Sequence, residues 1–344
     1  MTLHIMHVNL AKGFRGGERQ TELLIQSLAA QGFKQSLVCR SDSPLRHRLQ
    51  NTERLTFIKA NHQLMGHWQA EADIVHAHEA KAVHWAWLHH RLKGTPYILT
   101  RRVPQQVKDS LFNRWCYSKA SMAVAISSPI EKHLQSRHWC PVSRIPSALA
   151  HLKQNSDQVS ELKVTYAGHF IIGHAGALVD KHKGQRELIA AARLLAKEIP
   201  EAIFLMLGDG PDKDVLQAES QDMTNIKWLG FKSNLGDYLS ILDLFAFPSR
   251  NEGLGSTLLD VMDYNVPIVA SAVDGIPDIV RNEETGLLVP PNDASSLARA
   301  ILQLYKKPQL RIQLAQNAKA ELQQYAPEMM AERYSQLYQS LITH

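Results

Sequence analysis

The residues best suited by type and spacing to do chemistry lie in PSRNEGLGSTLLDVMDYNVPIVAS, residues 248–271. Gly253, Leu254 and Gly255 let the chain turn tightly, and Ser256 and Thr257 open a helix with Leu258, Leu259 and Met262 on its apolar face. N–H groups at a helix start, reached through glycines that permit close backbone approach, form a cradle for an anion such as a diphosphate. Glu252, just ahead, has the wrong charge for phosphate and suits hydrogen bonds accepted from ligand hydroxyls. Asp260, two helical turns on, is at the distance from which an acidic residue reaches a ribose diol in dinucleotide sites. Spacing alone leaves equally open that Glu252 and Asp260 are solvated charges at a helix end.

Three other groups stand out. His76 and His78 end the run DIVHAH (73–78), two apart and so on one face of a strand, where they either pack at the rim or meet a ligand. No histidine follows Glu79 at the offset that H-E-x-x-H requires, so no zinc motif is read. In ILTRRVPQQ (98–106), Arg101 and Arg102 stand at a strand end, where two guanidiniums would suit a phosphorylated acceptor. The alternative is surface charge beside the helix that carries Phe112 and Trp115. Cys39, Cys116 and Cys140 have neither a disulfide nor a zinc-ribbon pattern and read as buried thiols.

The elements that must position these residues recur in the same grammar twice. The chain has 344 residues, enough for two domains. HIMHVN, SLVCR, LTFIK, DIVHAH, YILT and MAVAIS read as short apolar strands, with VSRIPS (142–147) as a further candidate, and helical stretches such as ERQTELLIQSLAAQG lie between them. The polar stretch 151–163 reads as a linker. After it come FIIGHAGAL, QRELIAAARLLAKEIP, AIFLMLGDG, IKWLGF, LFAFPS and PIVAS, again strand and helix in alternation. Apolar strands alternating with helices predict parallel sheets covered on both faces, here two doubly wound Rossmann-like α/β domains. The tail from Pro327 predicts an amphipathic helix with Met329, Met330, Tyr334, Leu337, Tyr338 and Leu341 as its apolar set.

With these pieces in place, the chain resembles the family-four retaining glycosyltransferases of the GT-B fold, of the kind that act in bacterial lipopolysaccharide core or surface polysaccharide synthesis. Glu252 and Asp260 resemble that family's E-x7-E signature, and pieces in the family's order run along nearly the whole chain. They are Gly16-Gly17-Glu18-Arg19, DIVHAH, AISSPIEKHL, Gly176-Ala177-Leu178 with Lys183-Gly184, LGDG (207–210), LGF (229–231) and GIPDIVRNEETGLLVPPND. The resemblance implies two domains facing a central cleft, residues 1–160 with a C-terminal helix, 328–344, crossing back onto them, and residues 161–327. The second would bind a nucleoside-diphosphate sugar, with a UDP-hexose as the expected donor, and the first a glycan or lipid-linked acceptor through Arg101 and Arg102.

The resemblance further implies that Glu252 contacts the donor sugar, that Gly253, Leu254, Gly255, Ser256 and Thr257 hold sugar and diphosphate, and that Asp260 binds the ribose. Gly16, Gly17, Gly208, Asp209 and Phe231 complete the expected donor set, and the reaction retains anomeric configuration without a metal or other cofactor. Two departures are plain. Position 260 carries Asp for Glu, and the arginine of the family's G-R-L-x-x-x-K-G is Ala177 with one residue inserted, which leaves Lys183 as the diphosphate cation, with Lys181 or His182 as substitutes. The Gly-Gly-Glu-Arg run matches the family's G-G-x-E-R type with one residue omitted.

Charge divides by half. Residues 1–160 carry 21 Lys and Arg against 10 Asp and Glu, and the remainder 17 against 23. Within residues 84–119, seven basic residues against one acid are interleaved with Trp85, Trp87, Tyr97, Phe112, Trp115 and Tyr117, which points to an anionic membrane surface. No nucleic-acid reading module is visible, so nucleic acid is not expected as a partner. No apolar run is long enough to span a bilayer and no signal-peptide pattern opens the chain, so the expected location is cytoplasmic and peripheral on the inner face of the membrane. Two alternatives belong to other classes: a nucleotide-sugar-binding protein without turnover, and a nucleotide-sugar epimerase on the same fold.

Overall fold

The computed structural model of the chain describes residues 3–342. It divides into two compact units, Met1–Ala148 with Tyr325–His344, and Leu149–Gln324.

In the first unit, strands and helices alternate as β1 (His4–Asn9), α1 (Gly16–Ala30), β2 (Lys34–Cys39), α2 (Pro44–Leu49), β3 (Leu55–Lys59), β4 (Ile74–Ala77), α3 (Ala80–Lys93), β5 (Tyr97–Arg101), α4 (Leu111–Ser118), β6 (Met122–Ala125), α5 (Ser128–Gln135) and β7 (Val142–Arg144). Every pairing is parallel and the strand order is β3-β2-β1-β4-β5-β6-β7. Apolar strands need cover on both faces, and the residues of β1, β4 and β5 are buried almost throughout.

The second unit runs α6 (Ser156–Thr165), β8 (Phe170–Ala175), α7 (Asp180–Lys183), α8 (Gln185–Leu195), β9 (Ala202–Leu207), α9 (Lys213–Glu219), β10 (Ile226–Gly230), α10 (Leu235–Leu239), β11 (Leu244–Phe247), α11 (Thr257–Asp263), β12 (Ile268–Ser271), β13 (Leu287–Val289), α12 (Ala294–Lys306) and α13 (Pro308–Ala320). Its parallel sheet is ordered β10-β9-β8-β11-β12-β13. Ile172, Phe204, Ala246 and Val269 from the sheet pack with Leu188 and Ala192 of α8 and Ile301 of α12 in one core. The final helix, α14 (Pro327–Ile342), belongs to the first unit, where Met330, Ala331, Tyr334 and Tyr338 join Leu24, Leu28, Ile5, Ile74 and Ile98. The remaining two residues of the expected C-terminal helix, 343–344, lie outside the described residues.

Two sequence expectations need correction. The stretch 151–163 is not an open linker: most of it belongs to α6, which has no buried residue and is capped by the Asn155 side chain accepting from the Asp157 and Gln158 N–H groups. Its apolar residues at helical spacing are only Val159 and Leu162, both half-buried, too little to set it apart from a loop by composition. VSRIPS is a strand only over Val142–Arg144.

In both sheets the chain builds outward from one strand and then crosses back to its other side. The order therefore reverses between β1 and β4 in the first unit and between β8 and β11 in the second. Ligands of open α/β sheets bind at this switch point, outside the carboxyl ends of the strands.

Candidate active site

The loops that follow β8 and β11 flank the switch point of the second unit, and they hold Lys183 and Glu252. Lys183 ends α7 and donates to the Glu252 carboxylate, and its ammonium stands 5.3 Å from the centre of the Phe247 ring. Both side chains keep about a fifth of their surface exposed (21% and 17%), so the pair is reachable from solvent.

Glycines allow these loops to come together. Gly184 has φ +65°, and a Cβ there would lie 2.1 Å from the Pro248 carbonyl oxygen. Gly208, at the end of β9 with φ +147°, leaves no space for a Cβ beside the Gly176 oxygen. Any side chain at either position would push a loop away from its neighbour.

Arg250, which sequence reasoning missed, ties the two loops to each other. Its N–H and that of Asn251 donate to the His182 carbonyl, while its guanidinium binds Asp180 (3.1 Å) and Glu187. Burial pushes the Asp180 carboxyl up, but hydrogen bonds from the Arg186 backbone and side chain, with Arg250 beside it, outweigh burial and hold it below the usual carboxylate range. Arg250 therefore does not replace the arginine absent at Ala177: its charge is spent on two carboxylates, and its effect is to position Lys183. An arginine two residues ahead of Glu252 was the available signal.

The remaining predicted donor residues distribute as follows. Gly253, Leu254 and Gly255 are buried, Gly255 with φ +84°. Ser256 precedes α11 and Thr257 is its first residue, while the Leu258 and Leu259 N–H groups of the first turn already donate to the Gly255 and Ser256 carbonyls. Asp260 is buried, and its Oδ1 accepts the Ala150 N–H at 2.8 Å, so one of its oxygens is engaged by the backbone at the start of this unit. Asp209 follows Gly208 at the end of β9, and Phe231 follows β10 with three-quarters of its surface exposed (76%).

In the first unit the equivalent crevice edge is polar but closed. Parallel register places His7 of β1 against His76 of β4, and both are fully buried, with His78 3% exposed. His7 Nδ1 meets His78 Nε2 at 3.0 Å and His7 Nε2 meets Gln35 Oε1 at 2.9 Å. His76 bonds the Tyr338 hydroxyl and Thr100 Oγ1, each at 2.7 Å, and Thr100 Oγ1 bonds Tyr334 at 2.8 Å. The three imidazoles are close enough to share a metal ion, yet only His78 Nδ1 lacks a partner, and the Arg102 charge acts on both His76 and His78. Burial keeps all three neutral, with His7 down to about 4. Of the three, His76 anchors α14 through the Tyr338 hydroxyl, with His7 and His78 packed behind it, a role for which their spacing carried no signal.

The two arginines expected to share an acceptor diverge, as alternating positions at a strand end must. Arg101 Nη2 donates to the Gln105 carbonyl at 2.5 Å. Arg102 lies beside the first turn of α1, where a Cβ on Gly17 would stand 3.6 Å from its Cδ, and Gly16 has open space around it.

A family model described as "Glycosyl transferases group 1" matches residues 153–321, and one described as "Glycosyltransferase Family 4" matches residues 14–148. The chain belongs to the group 1 and family 4 glycosyltransferases. Among curated members, the "UDP-Gal:alpha-D-GlcNAc-diphosphoundecaprenol alpha-1,3-galactosyltransferase" of Escherichia coli is 24% identical over 88% of each chain. The "Lipopolysaccharide core biosynthesis glycosyltransferase LpsE" of Rhizobium meliloti is 29% identical over 49% of this chain and 50% of its own. Several curated relatives match over only 43–50% of their own length. Among solved structures, Anabaena Alr3699/HepE in complex with UDP superposes with a TM-score of 0.84 at 20% identity, covering 99% of this chain and all of that one (100%), which shows the GT-B fold. No helix among the described residues of this glycosyltransferase is long and apolar enough to cross a membrane.

Proposed function

We propose that this glycosyltransferase moves a hexose from a UDP-sugar to a glycan or lipid-linked glycan, with retention of anomeric configuration and without a metal. The observation that carries the reading is the pairing of Lys183 with Glu252 on the two loops that flank the switch point of the second sheet. A cation and a carboxylate at one crevice edge suit a ligand with a diphosphate at one end and sugar hydroxyls at the other.

In this reading Lys183 and the backbone N–H groups of the stretch Gly253, Leu254, Gly255, Ser256 and Thr257 that leads into α11 meet charge that develops on the leaving diphosphate. Glu252 accepts from the donor sugar's hydroxyls once the ligand's diphosphate draws Lys183 away from it. Asp260, with Gly208 and Asp209, lines the nucleoside side, and Phe231 presents a ring on which a base can stack. The acceptor hydroxyl attacks the anomeric carbon from the face the diphosphate leaves; the carbon–diphosphate bond breaks as the new glycosidic bond forms, and the acceptor's proton passes to a diphosphate oxygen.

The acceptor side is assigned to the first unit, and a lipopolysaccharide core or related surface glycan is the acceptor we favour. The names of the Rhizobium and Escherichia coli relatives support that class. Peripheral docking on an anionic membrane is part of the reading: Leu111, Phe112 and Trp115 of α4 are exposed beside Lys108, Arg114 and Lys119.

A thermal-shift screen of nucleoside diphosphates and their sugars, followed by transfer assays with EDTA present, tests this. A ligand at 100 times its dissociation constant raises stability by about 2.7 kcal/mol, and UDP or a UDP-sugar is expected to do so. Absence of any response would overturn the donor reading. Binding without transfer would favour a nucleotide-sugar-binding protein, a reading that the engagement of Asp260 by the Ala150 N–H keeps in contention.

A further inference from the structure

Behind the Lys183–Glu252 pair lies a polar couple that the proposed chemistry does not touch, the His174 imidazole near the end of β8 and the Gln185 carboxamide at the start of α8. Both residues are fully buried, although their neighbours Ile172, Met206 and Phe247 are apolar. Carbonyl oxygens can only accept, and this fixes the roles. His174 Nδ1 stands 3.1 Å from the Ala246 oxygen and must donate to it, so Nε2 of the neutral ring is an acceptor. Gln185 Nε2 donates to the Ala177 oxygen at 3.0 Å, and its second N–H faces His174 Nε2 at 3.4 Å. Turning the amide over would set two oxygens against each other, so the donor stays where it is and Gln185 Oε1 is left without a partner. Burial above all, with the Lys183 charge, brings the imidazole down to about 4 against the Ala246 bond that raises it, which keeps the ring neutral near pH 7.

A buried amide with an unpaired oxygen is costly where apolar side chains would fill the space. What the couple supplies is a tie between the two loops of the site. Ala246 belongs to β11, and the loop after that strand carries Arg250 and Glu252; Ala177 lies in the loop after β8 that leads to Lys183. The Ala177 oxygen also accepts the Val179 N–H at 2.8 Å, so two donors pin this turn. A Cβ on Gly176 would lie 3.8 Å from both His174 Nε2 and Lys183 Cδ, so the imidazole and the lysine stem flank the same glycine. The Phe247 ring borders both, 6.3 Å from the imidazole and 5.3 Å from the ammonium.

We propose that His174 and Gln185 are positioning residues for the donor: they hold the turn at Gly176 and Ala177, and through it the Lys183 ammonium, in place for the diphosphate. The proposal rests on the reading of Lys183 as the diphosphate cation. With Ala177 at the place of the family's arginine, one lysine carries that charge and its placement matters the more.

The test compares the full chain with Gln185→Leu, His174→Phe and His174→Asn, well below the melting temperature of each, by titration calorimetry with UDP and GDP as probes. Gln185→Leu and His174→Phe are expected to weaken nucleotide binding about tenfold, the scale of one lost hydrogen bond. His174→Asn, whose amide keeps a donor for the Ala246 oxygen, should fall between. Because the couple acts through Lys183, Gln185→Leu should cost nothing further in a Lys183→Gln background. In the ligand-free protein, amide hydrogen exchange over residues 176–183 should quicken in Gln185→Leu and stay as in the wild type over residues 202–207.

Failure of the wild type to bind either nucleotide would count against the donor reading, and the exchange measurement, which needs no ligand, would still decide the positioning. Four results would overturn the proposal: wild-type nucleotide affinity in Gln185→Leu, an equal loss from Gln185→Leu with and without Lys183, unchanged exchange over residues 176–183, or failure of Gln185→Leu to fold. The last would make the couple part of the core and nothing more.

Discussion

The two sheets wind in the same order and reverse at the equivalent place, but they equip that place in opposite ways. At the second sheet, the polar groups stand above the rim on loop tips, with Lys183 and Glu252 partly exposed over apolar strands such as β11. At the first, they have sunk below it, where His7, His76, Thr100 and Gln35 satisfy one another and reach out to Tyr334 and Tyr338. A charge pair on loops can exchange partners with a ligand at little structural cost, whereas a buried network is used up in holding the fold. The same topology thus separates a partly solvated charge pair, free to exchange partners, from a buried network built to hold.

Acid should break the symmetry most strongly. His7, His76, His78 and His89 of the first unit are buried neutral, His7 and His89 down to about 4, whereas His174 is the only histidine so shifted among the described residues of the second. The unfolded chain takes up protons near pH 6.5 and the folded one does not, so stability is complete above that pH and falls as pH drops toward 4, by roughly 3 kcal/mol for a group held at about 4 such as His7. Arg102, facing His76 and His78, makes their protonation harder still. Hydrogen exchange at pH 5 should find β1, β4 and β5 losing protection before β8, β9 and β11; the reverse order would refute the contrast.

Next in size, Lys183→Ala or Glu252→Ala should cut turnover by about 10²–10³-fold, with the double variant far from multiplicative because the two residues act as a pair. Melting should barely change, as the pair is partly solvated. A large drop in stability from either would mean that this region, too, is built to hold.

Tyr338→Phe asks the converse question. It leaves His76 Nδ1 buried without its partner and should cost about 1–3 kcal/mol, read as a lower melting temperature. The smallest effect on stability, within about 0.5 kcal/mol, is expected for Leu111→Ser with Trp115→Ser on the exposed face of α4. Those changes should still weaken salt-sensitive co-sedimentation with anionic vesicles, and unaltered co-sedimentation would remove the membrane from the account.

Much of the crevice edge of the second unit could be outlined in advance because its parts are local. Glu252, the glycines and the start of α11 lie within a few residues of each other, and strands such as β8 and β11 show as short apolar runs. What escaped notice depends on distance in the chain or on the absence of a pattern. His7 and His76 are joined only by the register of parallel strands, 69 residues apart. Arg101 and Arg102 looked like a pair until strand alternation sent them apart. Asp260 could be placed on its helix, but nothing in its spacing foretold the Ala150 N–H. The mostly polar helix α6 had only Val159 and Leu162 to announce it.

The placement of α14 has a consequence for how the molecule is made. The second unit is one continuous stretch of chain and can close as soon as it has been synthesised, but the first is interrupted, with its sheet written before that stretch and its covering helix after it. Until α14 arrives, His76 and Thr100 lack the tyrosines that complete their bonds and Ile5, Ile74 and Ile98 lack part of their cover. The half of the chain made first is therefore the half finished last, and it spends the interval with part of its core still uncovered.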